Sequence, residues 1–269
     1  MARRKAEKVF AWAEFRKWRP VVLRILSDFV DDDVLDEVRS NPPRCFASDY
    51  LTWLDNAIHR VRRCGSPDIK SVLVSRLPQH YSLLRAFHGC RPESPESYKA
   101  QGILPSNTKQ IEETALEILS PRTRVEAVIR QLNEPDCFGT YPDHNKGKVF
   151  FCIDQKFLVE QCGHYLLYGS EYLASIANHM GRGEELRKRG KATVIECNVP
   201  FRNVPQIYVE CLVGEILREI FQRHGDPEYY PGLLNFGFPI EVALAPENIV
   251  AFHHPSGIPN PHRLNQRED

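Results

Sequence analysis

The stretch Ser82-Leu-Leu-Arg-Ala-Phe-His-Gly-Cys-Arg91 decides how the chain is read. Ser82 to Phe87 is compact and apolar enough for a strand, and His88-Gly89 follows at once. A histidine at a strand end offers a hydrogen-bond donor to a hydroxyl. A glycine beside it lets backbone groups approach a flat ligand, because no Cβ stands in the way. Just downstream, Ser94 and Glu96 open a short helix that Gly102 terminates, and Ile103-Leu104-Pro105 follows.

Two later segments carry chemistry of the same kind. Lys148-Val-Phe-Phe-Cys-Ile153 is aromatic and β-branched, which predicts a strand with rings to offer. An aromatic face attracts a cationic ring by about 0.5–1 kcal/mol when exposed and more when desolvated. Pro239-Ile-Glu-Val-Ala-Leu-Ala-Pro246 sets one carboxylate, Glu241, among apolar residues. In a strand that is costly unless the acid is paired or faces a cleft, so Glu241 is a candidate for a reactive site. Its neighbour Glu247 belongs with the surface turn Pro246-Glu247-Asn248.

Around these segments the chain reads as mixed. Residues 1 to about 75 are helical: Trp12, Phe15, Trp18, Val22, Ile25 and Leu26 recur at helical spacing, with Pro20 expected to kink or split the segment. Ser48 and Asp49 supply cap chemistry to a helix whose Leu51, Leu54, Ile58 and Val61 share a face and which Gly65 ends. A short helix runs from Asp68 to Leu77, and others follow at 108–119 and 121–132 before a polar loop from Pro135 to Lys148. A helical stretch over 155–180 is interrupted at Gly163 and Gly169, a strand covers 191–199, and a long helix covers 206–223. Strands at 238–245 and 249–253 precede a Pro-rich tail from Pro255. Strands that arrive singly between helices, without a regular βα rhythm, predict an α+β fold. The division is a helical subdomain over 1–77 and a second domain over 78–269.

Composition narrows the class. With 35 basic and 35 acidic residues no global field favours a polyanion, although the first two dozen residues carry Arg3, Arg4, Lys5, Lys8, Arg16, Lys17, Arg19 and Arg24. Such an end suits nucleic acid or an acidic partner, or is a solvated helix face. No apolar run approaches the ~20 residues of a membrane span, and the basic start lacks a signal-peptide core, so a cytoplasmic protein is expected. The 8 cysteines lack paired spacing. Cys152, Cys197 and Cys211 lie in apolar runs and read as buried thiols, and no metal site is expected.

In their order along the chain, these three segments resemble the His–Tyr–Glu class of ADP-ribosyltransferases, the family of diphtheria-type toxins and poly(ADP-ribose) polymerases. Phe87-His88-Gly89-Cys90-Arg91 looks like its first motif, the 148–154 strand like the one with the stacking tyrosine, and 240–246 like the one with the catalytic glutamate. The resemblance covers roughly residues 80–254 and implies a split β-sandwich with flanking helices. It implies that NAD is the substrate, with no metal, and that ADP-ribose passes to a macromolecular acceptor, protein or nucleic acid. His88 would bond a ribose hydroxyl, Gly89 the nicotinamide amide, and Phe150 would stack on the nicotinamide. Glu241 would stabilise the oxocarbenium-like transition state. Arg91 and the Ser106-Asn107 loop would face the pyrophosphate.

The chain departs from the family in two places. Phe150 stands where the family has tyrosine, leaving Phe151 and the helix residue Tyr168 as alternative rings. Pro239 removes the Glu/Gln-x-Glu pair associated with arginine or asparagine targets. Tyr229, Tyr230, Phe236 and Phe238 fall where the target-recognition loop would lie. A toxin or defence role follows from analogy of fold alone. The alternatives are an RNA 2′-phosphotransferase, which would need basic groups near His88, and a degenerate domain that binds a partner through the N-terminal helices.

Overall fold

The computed structural model describes residues 7–63, 68–134 and 146–259. Arg3, Arg4 and Lys5, the Gly65 helix stop, residues 135–145 of the polar loop and residues 260–269 of the tail lie outside the described residues. The described chain is α+β, with twelve α-helices and one six-stranded sheet. It divides into two compact units, Met1–Arg85 with Pro200–Phe236, and Ala86–Val199 with Gly237–Asp269.

The first unit holds strand β1 (Val9–Phe10), helices α1 (Phe15–Ile25), α2 (Asp32–Ser40), α3 (Thr52–Arg62) and α4 (Ile69–His80), and the later helix α12 (Gln206–Gly225). It is thus built from more than the first 77 residues. α12 packs on α2 and α4 and buries Val209, Leu212, Val213, Ile216 and Ile220. Helical periodicity shows that such a face needs a core but not which core, and the sequence division assigned this helix to the other domain. Pro20 sits inside α1 without splitting it. It is exposed, so the Arg16 carbonyl that loses its usual partner is on the solvent side. Ser48 does not cap α3; its hydroxyl donates to Glu215 Oε1 at 2.7 Å. Asp68 does cap α4, accepting from the Ser71 N–H at 3.1 Å.

The second unit carries the greater part of the sheet. Strands β2 (Leu83–Cys90), β3 (Val149–Cys152), β4 (Thr193–Pro200), β5 (Gly237–Ile240) and β6 (Ile249–His253) lie in the order β5-β3-β2-β4-β6. β1 runs parallel to the first residues of β2 through Val9↔Leu83 and Phe10↔Leu84. β3 is antiparallel to both neighbours. Alternation along Val-Phe-Phe-Cys sends Val149 and Phe151 into the core and leaves Phe150 accessible.

The helices of this unit are α5 (Glu96–Gln101), α6 (Thr108–Ile118), α7 (Arg122–Leu132), α8 (Gln155–Gln161), α9 (His164–Tyr168), α10 (Glu171–His179) and α11 (Gly183–Arg187). Asn107, Asp154 and Ser170 cap α6, α8 and α10 with side-chain oxygens, each worth about 0.5–2 kcal/mol over alanine. One core joins Ala115, Val125, Leu167, Tyr172, Ile176 and Leu186 across α6, α7, α9, α10 and α11. Another joins Leu158, Leu166, Ala192 and Val194, with Phe87 and Cys152 packed against it. Among the described residues no helix is long and apolar enough to cross a membrane, and no cluster of His, Cys, Asp and Glu is arranged to hold a metal. Cys90 and Cys197 are buried, whereas Cys152 and Cys211 are partly exposed, and all four are free thiols.

Candidate active site

β2 continues through His88 and Gly89 to Cys90, so the histidine lies within the strand rather than at its end. β2 and β3 meet in a single register pair, Phe87↔Cys152, and the ladder stops there. The Phe150 carbonyl, two residues back along β3, is bonded instead by the His88 imidazole, with Nδ1 2.9 Å from the oxygen. A carbonyl only accepts, so Nδ1 carries the proton. In the neutral ring Nε2 is then an acceptor. The sequence reading cast His88 as a donor to a hydroxyl; the tautomer makes it an acceptor for one. Burial pushes the His88 pKa below its ordinary 6.5, and the bond to the Phe150 carbonyl offsets this in part by favouring the charged form.

Gly89 is buried beside helices α8 and α9. A Cβ there would stand 3.2 Å from Leu158 Cδ1, 3.2 Å from Tyr165 Cβ and 3.4 Å from Leu166 Cδ2. Tyr165, half-buried in α9, is therefore an aromatic residue next to the His-Gly motif that sequence reasoning passed over. The available signal was its place one helical turn after the end of α8, which spacing alone does not single out.

Phe150 is 36% exposed, whereas Phe151 is 2% exposed, stacked on Phe238 at 5.7 Å between centroids and 5.8 Å from the His88 ring. Of the two, Phe150 is the ring open to a ligand. Tyr168, at 6% exposure, belongs to the helical core and is not available to stack.

Glu241 follows β5 directly. The expected strand over 238–245 ends at Ile240, and the chain bends at Glu241 and Val242 before Leu244 pairs with Ile103. The carboxylate is exposed, so it bears no burial cost of the kind expected for an acid inside an apolar strand. Among the described residues it has no hydrogen-bond or ion-pair partner. Its segment is nonetheless held at both ends. On one side Ile240 pairs with Val149 of β3. On the other, Ile103 N–H donates to Leu244 O at 2.8 Å and Leu244 N–H returns to Ile103 O at 2.9 Å. Ser106 N–H donates to Lys148 O at 3.0 Å, which ties the 103–106 segment back to the start of β3. Leu104 and Val242, flanking these ties, are large apolar residues left exposed. His88 thus lies in β2, on one side of β3, and Glu241 just past the end of β5, on the other.

Arg91 departs from its expected role. Its guanidinium donates to the main-chain carbonyls of Arg189 at 2.7 Å, Leu166 at 3.1 Å and Arg187, which spends it on tying β2 to the ends of α9 and α11. Desolvation lowers its pKa, and the nearby Arg187 charge adds to this. Asn107 likewise caps α6 through the Lys109 and Gln110 N–H groups and is not aimed at an anion. Arg91→Ala is expected to lower the urea midpoint by an amount equivalent to about 2–3 kcal/mol, since up to three carbonyls lose a charged donor.

Of the aromatics before Glu241, Tyr229 donates its hydroxyl to buried Glu219 at 2.9 Å, while Phe236 and Phe238 are buried. Of these four aromatics only Tyr230, at 88%, is exposed. Neither protein-family models, nor curated proteins, nor solved structures give a match to this chain, so the assignment of the site rests on its own geometry.

Proposed function

We propose that the chain is a mono-ADP-ribosyltransferase that cleaves NAD and passes ADP-ribose to a macromolecule, with its site in the second unit. The observation that carries this reading is the break between β2 and β3 at His88. There a side chain replaces a backbone partner, leaving Nε2 open as an acceptor, and the Glu241 carboxylate, unpartnered among the described residues, follows the strand on the other side of β3. The single six-stranded sheet is compatible with a transferase-type split β-sandwich, whose split would fall at this short β2–β3 pairing.

In this reading Nε2 of His88 accepts a hydrogen bond from a ribose hydroxyl, and the Gly89 backbone borders the nicotinamide. The exposed face of Phe150 stacks on that ring, without the hydroxyl a tyrosine would bring. As nicotinamide leaves with the electron pair of the glycosidic bond, the ribose gains oxocarbenium character. The Glu241 carboxylate stabilises that charge and accepts a hydrogen bond from the 2′-hydroxyl. Arg91 takes no part, because its donors are spent on the main chain.

The test is release of nicotinamide from NAD by the purified chain, with label transfer from ³²P-NAD to cell-extract components as a second readout. Absence of both overturns the proposal, and NAD binding without turnover turns the reading to a degenerate domain.

The tautomer gives a pH signature. His88 must be neutral, and its folded pKa is depressed below 6.5. The acid limb of turnover is therefore expected to have its midpoint below pH 6.5. Stability follows the same sign: the unfolded chain takes up the proton first, so stability is lost as pH falls through the depressed value. His88→Ala should weaken NAD binding about tenfold to hundredfold and remove this acid limb from the residual activity. An acid limb with its midpoint at or above pH 6.5 would contradict the assignment.

A further inference from the structure

α1 of the first unit is bordered by two open clefts of similar size. One, of about 380 Å³, is lined by Phe15, Arg16, Arg19, Pro20, Arg223 and His224. The other, of about 400 Å³, includes Lys8, Lys17, Arg24 and His80 with Glu14. Each contributes three Lys or Arg side chains, and among the described residues the second holds the only carboxylate that lines either cleft.

The arginines differ in how far they are committed. Arg223 lies over the Phe15 ring at 3.9 Å and pairs with Glu219 at 2.6 Å. Arg39, beside the first cleft, donates to His224 Nε2 at 3.0 Å and sits 3.4 Å from Asp36. Burial first, then the Arg39 and Arg19 charges, hold His224 below its usual range, so it adds no positive charge at neutral pH. Lys17 pairs with Glu14 at 2.6 Å. Arg16, Arg19, Arg24 and Lys8 have no ion-pair partner among the described residues.

We infer that this face binds the phosphate backbone of a nucleic-acid strand, which crosses α1 and seats phosphates in both clefts. From Arg16 to Arg24 the helix rises about 12 Å, the length of about three nucleotides at 3.4 Å each. A single carboxylate or free phosphate would fill one cleft and leave the other idle; a polyanion fills both. Arginine's planar fork suits phosphate oxygens, and Phe15 and Pro20 give the first cleft an apolar wall for a sugar or base. A membrane surface is the poorer partner, because Trp18 and Val22 are buried and no large apolar side chain of α1 is exposed enough to anchor in a bilayer. The inference stands apart from NAD chemistry.

The experiment is fluorescence anisotropy of the full chain with a labelled 20-nucleotide single-stranded RNA, over a series of salt concentrations. Binding is expected to weaken steeply with salt. The pair Arg16→Glu with Arg19→Glu is expected to weaken it at least tenfold and to flatten the salt slope by about one to two. The pair Lys8→Glu with Arg24→Glu, on the other cleft, should do the same. None of the four side chains is buried or has an ion-pair partner among the described residues, and an unchanged thermal melting curve is the check that each variant remains folded. The inference is overturned if the chain does not bind the RNA, or if either pair leaves affinity unchanged. It is also overturned if poly-glutamate or phosphatidylserine vesicles compete as well as unlabelled RNA does.

Discussion

Glu241→Gln should lower nicotinamide release by about 10²–10³-fold, equivalent to about 2.7–4 kcal/mol of transition-state stabilisation. The amide keeps the shape and can still accept a hydrogen bond from a ribose hydroxyl. It cannot offset a positive charge that develops one bond away. The same substitution should move stability by no more than about 0.5 kcal/mol, because the carboxylate is exposed and bonded to nothing among the described residues. A large loss of rate with an unchanged melting curve separates a chemical role from a structural one. Glu247→Gln is the control: it lies in the exposed 3-10 turn Pro246–Asn248, and its removal should change neither quantity. If Glu241→Gln turns over NAD at the parent rate, the assigned acid is wrong.

Gly102→Ala is expected to have the largest effect on folding of any single methyl addition in the second unit, about 3–4 kcal/mol by urea denaturation. Gly102 ends α5 with φ at +76°, a conformation that costs an L residue about 1–2 kcal/mol. The added Cβ would also stand 1.9 Å from the Leu244 carbonyl oxygen, a contact no rotamer change relieves because the neighbour is main chain. The pair of hydrogen bonds between Ile103 and Leu244 must then open, at about 1 kcal/mol each. Those bonds tie down the far end of the Glu241 segment, so nicotinamide release should drop as well, even where the variant is fully folded. Gly147→Ala supplies the comparison. Its φ is +72° but nothing lies within 4 Å of the new methyl, so only the backbone cost should appear.

Local order was largely legible in the residues. Residue pattern places α4, α6 and α7 within a few positions, and Gly163 and Gly169 mark real interruptions. α11, five residues dominated by charge, offers too little periodicity to be seen. The extent of β5 was overread: Ile-Glu-Val-Ala-Leu alternates like a strand, but pairing needs a partner, and β3 ends where Val149 meets Ile240. At the candidate site, His88, Gly89, Phe150 and Glu241 were picked out by residue type. The spending of Arg91 on three carbonyls was not, because it depends on α9 and α11 ending beside β2 in space. Burial of Tyr168 and the approach of Tyr165 to Gly89 are likewise facts of helix packing, which a tyrosine in either position does not announce.

The first unit takes its wall from both sides of the second in the chain, since α12 covers the apolar faces of α2 and α4. During synthesis those faces emerge about 150 residues before Phe236 does, an interval on the order of ten seconds. A ribosome-bound chain must therefore shelter greasy surface with a chaperone or a transient mispacking until α12 arrives. By the same logic, removing residues 1–75 strips α12 of much of its seat, so an N-terminal truncation is expected to leave an aggregation-prone remnant.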